Sequence, residues 1–406
     1  MQTYTDLFAD RAFRALWAGT ALTVAASTAV GLALASSVYA TTGSALLSAL
    51  ALFGPSVVQV VGATTLMSVA DTSPPRRTLV LVTCVVAAVA ACQALLPLGP
   101  LARVALTLAT AYVVSIGAGA RWGLLAQLVP EASFRLARSA VNVAVGAFQV
   151  VGFAAGGLLL QVLSVRAVFA LAAGLSVLAV VVLRTGLPEL APRRTTPPGL
   201  RETWHGNRRL LGERHTRPLL VALCLPNGLV VGCEALFVPY ARDAAGVLFV
   251  AAALGMLVGD VLVGRVLTAR QRQRSSTSLR VLLAAAFLPF VLPLPLAVAA
   301  LLAALGSVGY GASLLLQEQL VALAPKDVQG QALGVEGSAR MTAQGLCAVL
   351  AGALADALGP GVAITVLAAA SLAVTAALVP ALRRAEVEVE ARAARVVQRN
   401  GGSVRP

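Results

Sequence analysis

The sequence predicts an all-α polytopic membrane protein, with twelve transmembrane helices in two parallel six-helix repeats. Three observations predict it. Blocks of about 20 apolar residues run nearly end to end, and a hydrocarbon core about 30 Å thick needs about 20 helical residues to cross. The arginines gather at alternate junctions between these blocks. The second half of the chain repeats landmarks of the first at an offset of 195 residues.

Each observation has a physical basis. Inside lipid a helix is one of only two ways to satisfy the backbone polar groups, so apolar blocks of this length become helical spans. Apolar residues make up 58% of the 406 and only 12% are charged, too few to cover the surface of a soluble fold of this length. The net charge of +14 would suit a nucleic-acid partner, but its placement excludes one. The expected outer turns carry only Arg103, Arg166 and Arg242, while the other basic residues lie in or beside inward segments. That bias sets both termini in the cytoplasm of a cell membrane.

The five cysteines all fall inside apolar blocks and read as small packing residues. His205 and His215 share one polar loop without Cys partners, so no metal and no cofactor is expected. No removable signal peptide is expected before the first span. Thirty of the 31 basic residues are Arg, a bias that suggests a GC-rich bacterial genome.

Taken in order, the expected spans are 13–40, 44–69, 78–98, 101–122, 138–163 and 166–186, then 218–241, 246–267, 279–296, 298–317, 331–355 and 360–382. Pro97-Leu98-Gly99-Pro100 makes the tight turn between the third and fourth, and Pro293 and Pro295 separate the ninth from the tenth. The longest polar stretch, 187–217, contains Arg193-Arg194-Thr195-Thr196-Pro197-Pro198 and reads as a linker. Within it, Leu200, Trp204, Leu210 and Leu211 among arginines fit either a basic helix on the membrane surface or a solvated loop. The expected division is therefore a first bundle 1–186, a cytoplasmic linker 187–217, a second bundle 218–384 and a frayed cytoplasmic tail 385–406. The repeat is carried by Pro130/Pro325, Gln149/Gln344 and Gly157/Gly352, and its two units have the same orientation. Parallel repeats of this kind face each other across a central cavity.

Short motifs sharpen the picture. Between the second and third spans stands Met67-Ser68-Val69-Ala70-Asp71-Thr72-Ser73-Pro74-Pro75-Arg76-Arg77, and its second-half counterpart runs from Gly264 to Arg270 and Arg272. The fifth span carries Gly152-Phe153-Ala154-Ala155-Gly156-Gly157, and Leu128-Val129-Pro130-Glu131 follows the fourth. With twelve spans and a basic central loop, the chain over 10–385 resembles the major facilitator superfamily, in its drug- and siderophore-exporting branch. The first stretch keeps the Asp and terminal basic residues of that family's Gly-x-x-x-Asp-Arg/Lys-x-Gly-Arg/Lys-Arg/Lys loop and lacks both glycines. The resemblance implies a charge contact between the bundles through Asp71, Arg76, Arg77, Arg270 and Arg272; topological anchoring is the alternative. Gly152, Gly156 and Gly157 resemble an exporter element whose Pro is here Phe153, and they equally suit close helix packing.

Ionisable residues at bilayer depth are functional candidates by default. Glu234, in the seventh span, is a candidate proton carrier, or else a group at the outer mouth paired with Arg242. Asp260, Glu336 and Arg340 form a candidate inner-gate network, the last two spaced i,i+4. Arg121 reads as an interfacial anchor at the end of the fourth span. The first span has no acid, unlike many antiporters of the family. Thr23, Ser27, Gln59, Asn142, Gln149, Asn227 and Gln344 are candidates for lining a mildly polar cavity. The expected activity is alternating-access efflux of a small amphiphilic solute in exchange for protons, by a monomer in the bilayer. An importer or facilitator on the same fold is the first alternative, and a membrane sensor or scaffold the second. No His-Glu-x-x-His, Gly-x-Ser-x-Gly or phosphate-loop motif occurs, so no enzymatic activity is expected.

Overall fold

The computed structural model describes residues 4–191, 212–213, 216–324 and 329–401, and the described residues contain helices and no strands. A short helix α1 (Tyr4–Ala9) precedes α2 (Arg11–Thr42), α3 (Ala45–Thr72), α4 (Pro75–Leu95), α5 (Pro100–Leu128), α6 (Glu131–Val162) and α7 (Val165–Gly186). The second half holds α8 (Thr216–Ala235), α9 (Phe237–Ala241), α10 (Ala245–Val261), α11 (Ala269–Ala285), α12 (Leu296–Val308), α13 (Ala312–Leu323), α14 (Gln329–Leu358) and α15 (Pro360–Gly401). Ten stretches are long and apolar enough to cross a membrane, and one of them, Thr216–Gly264, contains two consecutive crossing helices.

The ends of these helices follow from local chemistry. Asp10 caps α2, its carboxylate accepting the Phe13 N–H at 2.7 Å, and Gly43, at φ 67°, closes the other end. Prolines open α4 and α5, where a missing N–H is harmless. Thr268 and Gln271 form a capping box at the start of α11.

Three elements depart from expectation. The ninth span begins ten residues earlier than the hydropathy suggested, at Ala269, and its helix ends at Ala285. Its polar first half is covered by protein: Arg280 is 6% exposed and donates to the Ser276 carbonyl and the Thr277 hydroxyl. A 3-10 turn (Leu288–Val291) follows, then extended chain into Pro295. Second, the chain beyond Arg384 continues α15 to Gly401 instead of fraying. Third, Arg121 lies seven residues before the end of α5, inside the helix and not at its boundary. The basic stretch at 192–211, together with His215 and Lys326, lies outside the described residues.

Packing within each half follows one plan. In the first half α2 packs on α6 and α7, α3 on α5, and α4 on α5 and α7. In the second half α8 packs on α14 and α15, α10 on α12, and α11 on α12 and α15. Contacts between the halves run mainly along α3 with α14 and α6 with α10. We call the face that carries the start of α2 and the α3–α4 junction the near face, and its opposite the far face.

The apolar cores show how the halves meet. One core draws Ala33, Phe153 and Phe169 together with Phe237, Phe249, Phe287 and Ile364, so it spans both halves, and it lies toward the far face. Toward the near face there are separate cores, one built on Phe13, Leu124 and Leu183 and the other on Leu219, Leu320 and Leu382. Burial of apolar surface therefore joins the halves at one end and holds each together by itself at the other.

Candidate transport site

The seam between α6 and α10 gives the geometry of the site. Positions 142, 146, 149, 153 and 157 fall on one face of α6, and 246, 249, 253, 257, 260 and 264 on one face of α10, by the three- and four-residue spacing of a helix. At the far end these faces touch. Phe153 stacks on Phe249 with centroids 4.5 Å apart, and a Cβ on Gly157 would come within 2.9 Å of the Gly246 Cα. Toward the near face the same stripes are exposed, at Asn142, Gly146 and Gln149 on one side and Leu257, Asp260 and Gly264 on the other. The two helices diverge, and a vestibule opens between the halves toward the near face.

Asn142 and Gln149 are therefore placed on the vestibule wall, while Ser27 on α2 is also exposed and Gln59 on α3 is half-buried. Ser27 donates to the Val24 carbonyl at 3.1 Å. Asn227 and Gln344 bond each other instead, the Gln344 amide donating to Asn227 Oδ1 at 2.7 Å between α8 and α14. Thr23 donates to the Gly19 carbonyl and lines a separate cavity inside the first half.

Glu234 sits at the end of α8, buried within the second half. Its Oε1 accepts hydrogen bonds from the Tyr310 hydroxyl at 3.1 Å and the Ser307 hydroxyl at 3.5 Å. Tyr310 stands in a 3-10 turn (Gly309–Gly311) that interrupts the helical path from α12 to α13. The pairing with Arg242 considered from the sequence does not form; neutral hydroxyls hold the carboxylate. Such a pair of donors can steady a carboxylate without fixing its charge, which leaves the group free to take up and release a proton.

The inner network forms in part. Glu336 is 2% exposed and accepts from Arg340 Nε at 2.8 Å and from the Gln317 amide at 3.1 Å. Asp260 does not join them. It is exposed on α10 and makes no hydrogen bond or ion pair with the described residues, because the stripe that carries it faces the open vestibule. The loop arginines likewise stay within their own halves. Arg76 and Arg77 both pair with Glu189, each at 3.2 Å, and Arg272 pairs with Glu318 at 3.5 Å, while Arg270 is exposed. With the halves apart at the near face, no seam contact is within their reach. Asp71 lies near the end of α3, and its side chain is outside the described residues.

The glycines of α6 divide between two neighbours. A Cβ on Gly152 would meet the Ala25 carbonyl at 2.8 Å and one on Gly156 the Ala29 Cα at 3.1 Å, both on α2, whereas Gly157 faces α10. One contact was not read from the sequence. Asp356, near the end of α14, caps the start of α3: Oδ1 accepts the Ala45 N–H at 2.6 Å, and Oδ2 accepts the Ser44 hydroxyl at 2.9 Å and the Leu46 N–H at 3.3 Å. A lone acid at the end of an apolar block was its only signal.

The Major Facilitator Superfamily model matches residues 16–342, and the chain belongs to that family of transporters. It is a multi-pass membrane protein of the all-α major facilitator fold. A POT family transporter in complex with a thioalcohol-conjugated peptide superposes with a TM-score of 0.76 at 12% identity, covering 92% of this chain and 96% of that one. The nucleoside transporter NupG gives 0.69 at 11% identity over 91% of this chain and 99% of its own. The human organic anion transporter MFSD10 gives 0.61 at 18% identity over 91% and 99%. At these identities the likeness is one of fold. No curated protein matches the chain by sequence.

Proposed function

We propose that this chain is a proton-coupled exporter of a small amphiphilic organic compound, working by alternating access. The bundles 1–186 and 218–384 rock about the α3–α14 and α6–α10 seams, joined by the linker 187–217 and followed by the tail 385–406. The protein sits in a cell membrane with its near face and both termini in the cytoplasm, as the placement of its arginines favours. The observation that carries this reading is the pair of facing stripes on α6 and α10, buried at one end and exposed at the other. A single seam sealed on one side and open on the other is what one half-cycle of alternating access requires.

The neutral amides of Asn142 and Gln149 and the hydroxyl of Ser27 on the vestibule suit a solute with hydrogen-bonding groups and little net charge. Glu234 carries the proton, and the break at Tyr310 lets its partner shift as the carboxyl changes state. Proteoliposomes loaded with solute and energised by a proton gradient test this. Glu234→Gln is expected to abolish gradient-driven flux while solute exchange at equal pH continues. Undiminished driven flux in that variant removes Glu234 from the mechanism, and accumulation with the proton flow instead of against it makes the protein an importer.

A further inference from the structure

Inside the first half, away from the vestibule, a cavity of about 40 Å³ lies between α2, α4, α5 and α7. Thr20, Thr23, Thr83, Gly117, Leu183 and the side chain of Arg121 line it. Val114, Gly117 and Arg121 share one face of α5, so the guanidinium is aimed at the other three helices and not at lipid or the seam. Arg121 makes no hydrogen bond, ion pair or ring contact with the described residues. A guanidinium keeps its charge under any condition a protein meets, and it presents five N–H donors. An unpaired cation at this depth calls for a counter-charge.

Thr20 contributes a second donor. It is 4% exposed, and its hydroxyl makes no hydrogen bond with the described residues. The Thr23 and Thr83 hydroxyls, by contrast, donate to the Gly19 and Leu79 carbonyls, each at 2.7 Å. The wall thus offers a fixed positive charge and a hydroxyl proton, with no carboxylate. Size narrows the ligand. A single water needs about 10–15 Å³ of such space, so the cavity takes roughly three water-sized groups, whereas organic ligands fill pockets of about 300–1,000 Å³.

We propose that this cavity is a binding site for a small monovalent anion, of the class of halide or formate, held by Arg121 and Thr20. The anion neutralises the buried charge and ties α5 to α2, so its presence stiffens the first bundle and leaves the vestibule to the transported solute.

The test uses the full chain in detergent, exchanged into sodium gluconate and titrated with sodium chloride, bromide or formate. The melting temperature is expected to rise saturably, by a few degrees at about 100 times the dissociation constant. Sulfate, which is divalent, and benzoate, which is too large, are expected to have no such effect. R121Q should lose the response. T20V keeps the charge and removes only the hydroxyl, and should weaken halide binding about tenfold, which keeps the test decisive even where R121Q does not fold. Crystals grown in bromide should show an anomalous peak beside Arg121. A wild-type melting temperature indifferent to halide, an unchanged response in both variants, or an equal response to benzoate overturns the proposal.

Discussion

Removing the Asp356 carboxylate should release the far side of the seam. In the structure one carboxylate from the second half satisfies the opening of α3 in the first, accepting from Ala45 N, Leu46 N and the Ser44 hydroxyl. Those N–H groups have no partner within their own helix, and a negative charge there also meets the positive end of the helix dipole. Loss of an N-cap carboxylate costs about 0.5–2 kcal/mol, and the charge–dipole attraction adds about 0.3–1 kcal/mol at an exposed site. Because Asp356 is exposed, we take the lower part of each range, about 1.5 kcal/mol together. That corresponds to roughly a tenfold shift from the near-open toward the far-open state. Asp356→Ala is expected to raise amide hydrogen exchange about tenfold in segments 150–160 and 245–252, which meet at the far end of α6 and α10. Asp356→Asn, which keeps an acceptor and loses the charge, should fall between. The reasoning is refuted if exchange in Asp356→Ala rises only at 44–48, for the cap would then steady α3 alone and not the closure of the two halves.

Two further substitutions separate seam from scaffold. Glu336→Ala strands Arg340, which is 32% exposed, and leaves the Gln317 amide unmatched, so thermal or denaturant unfolding should show a loss of about 2 kcal/mol after allowance for solvent around the arginine. Gly157→Val drives a side chain into the Gly246 backbone, where even a Cβ stands 2.9 Å from a Cα; thiol labelling of cysteines placed on the far ends of α6 and α10 should accelerate, and an unchanged labelling rate would mean that the helices do not seal there.

The crossing helices were legible because hydropathy reports what lipid demands, and most of these helices meet lipid along one side. Where a helix is wrapped by protein, that signal fails. The start of α11 carries Arg270, Arg272, Arg274 and Arg280, and the sequence placed its polar half in a loop. The same argument explains Arg121: near the end of an apolar block it resembled an anchor, yet α5 continues to Leu128 and carries the charge inward. Glu234 was legible as an isolated acid, but Ser307 and Tyr310 lie 73 and 76 residues away and no spacing rule reaches them. Glu336 and Arg340 were legible because four residues along a helix already bring them together.

The openness of the seam could not be read at all, and the reason is physical. The α6 stripe that runs from Asn142 through Gln149 to Phe153 and Gly157 is one continuous face, and nothing in its residues says which part is in contact. A face that must be covered in one state and wetted in another has to be tolerable in both. Glycine and neutral amides meet that condition: an amide loses little when solvated and can find a partner when covered. Aromatic packing at Phe153 and Phe249 favours the closed end, and the carboxylate of Asp356 holds it without extensive apolar surface. A seam that works in both directions must have small differences between its states, since a large apolar seal would trap one of them. That is why the residues that decide it, Asp356 and Gly157 above all, are few and locally unremarked in the sequence.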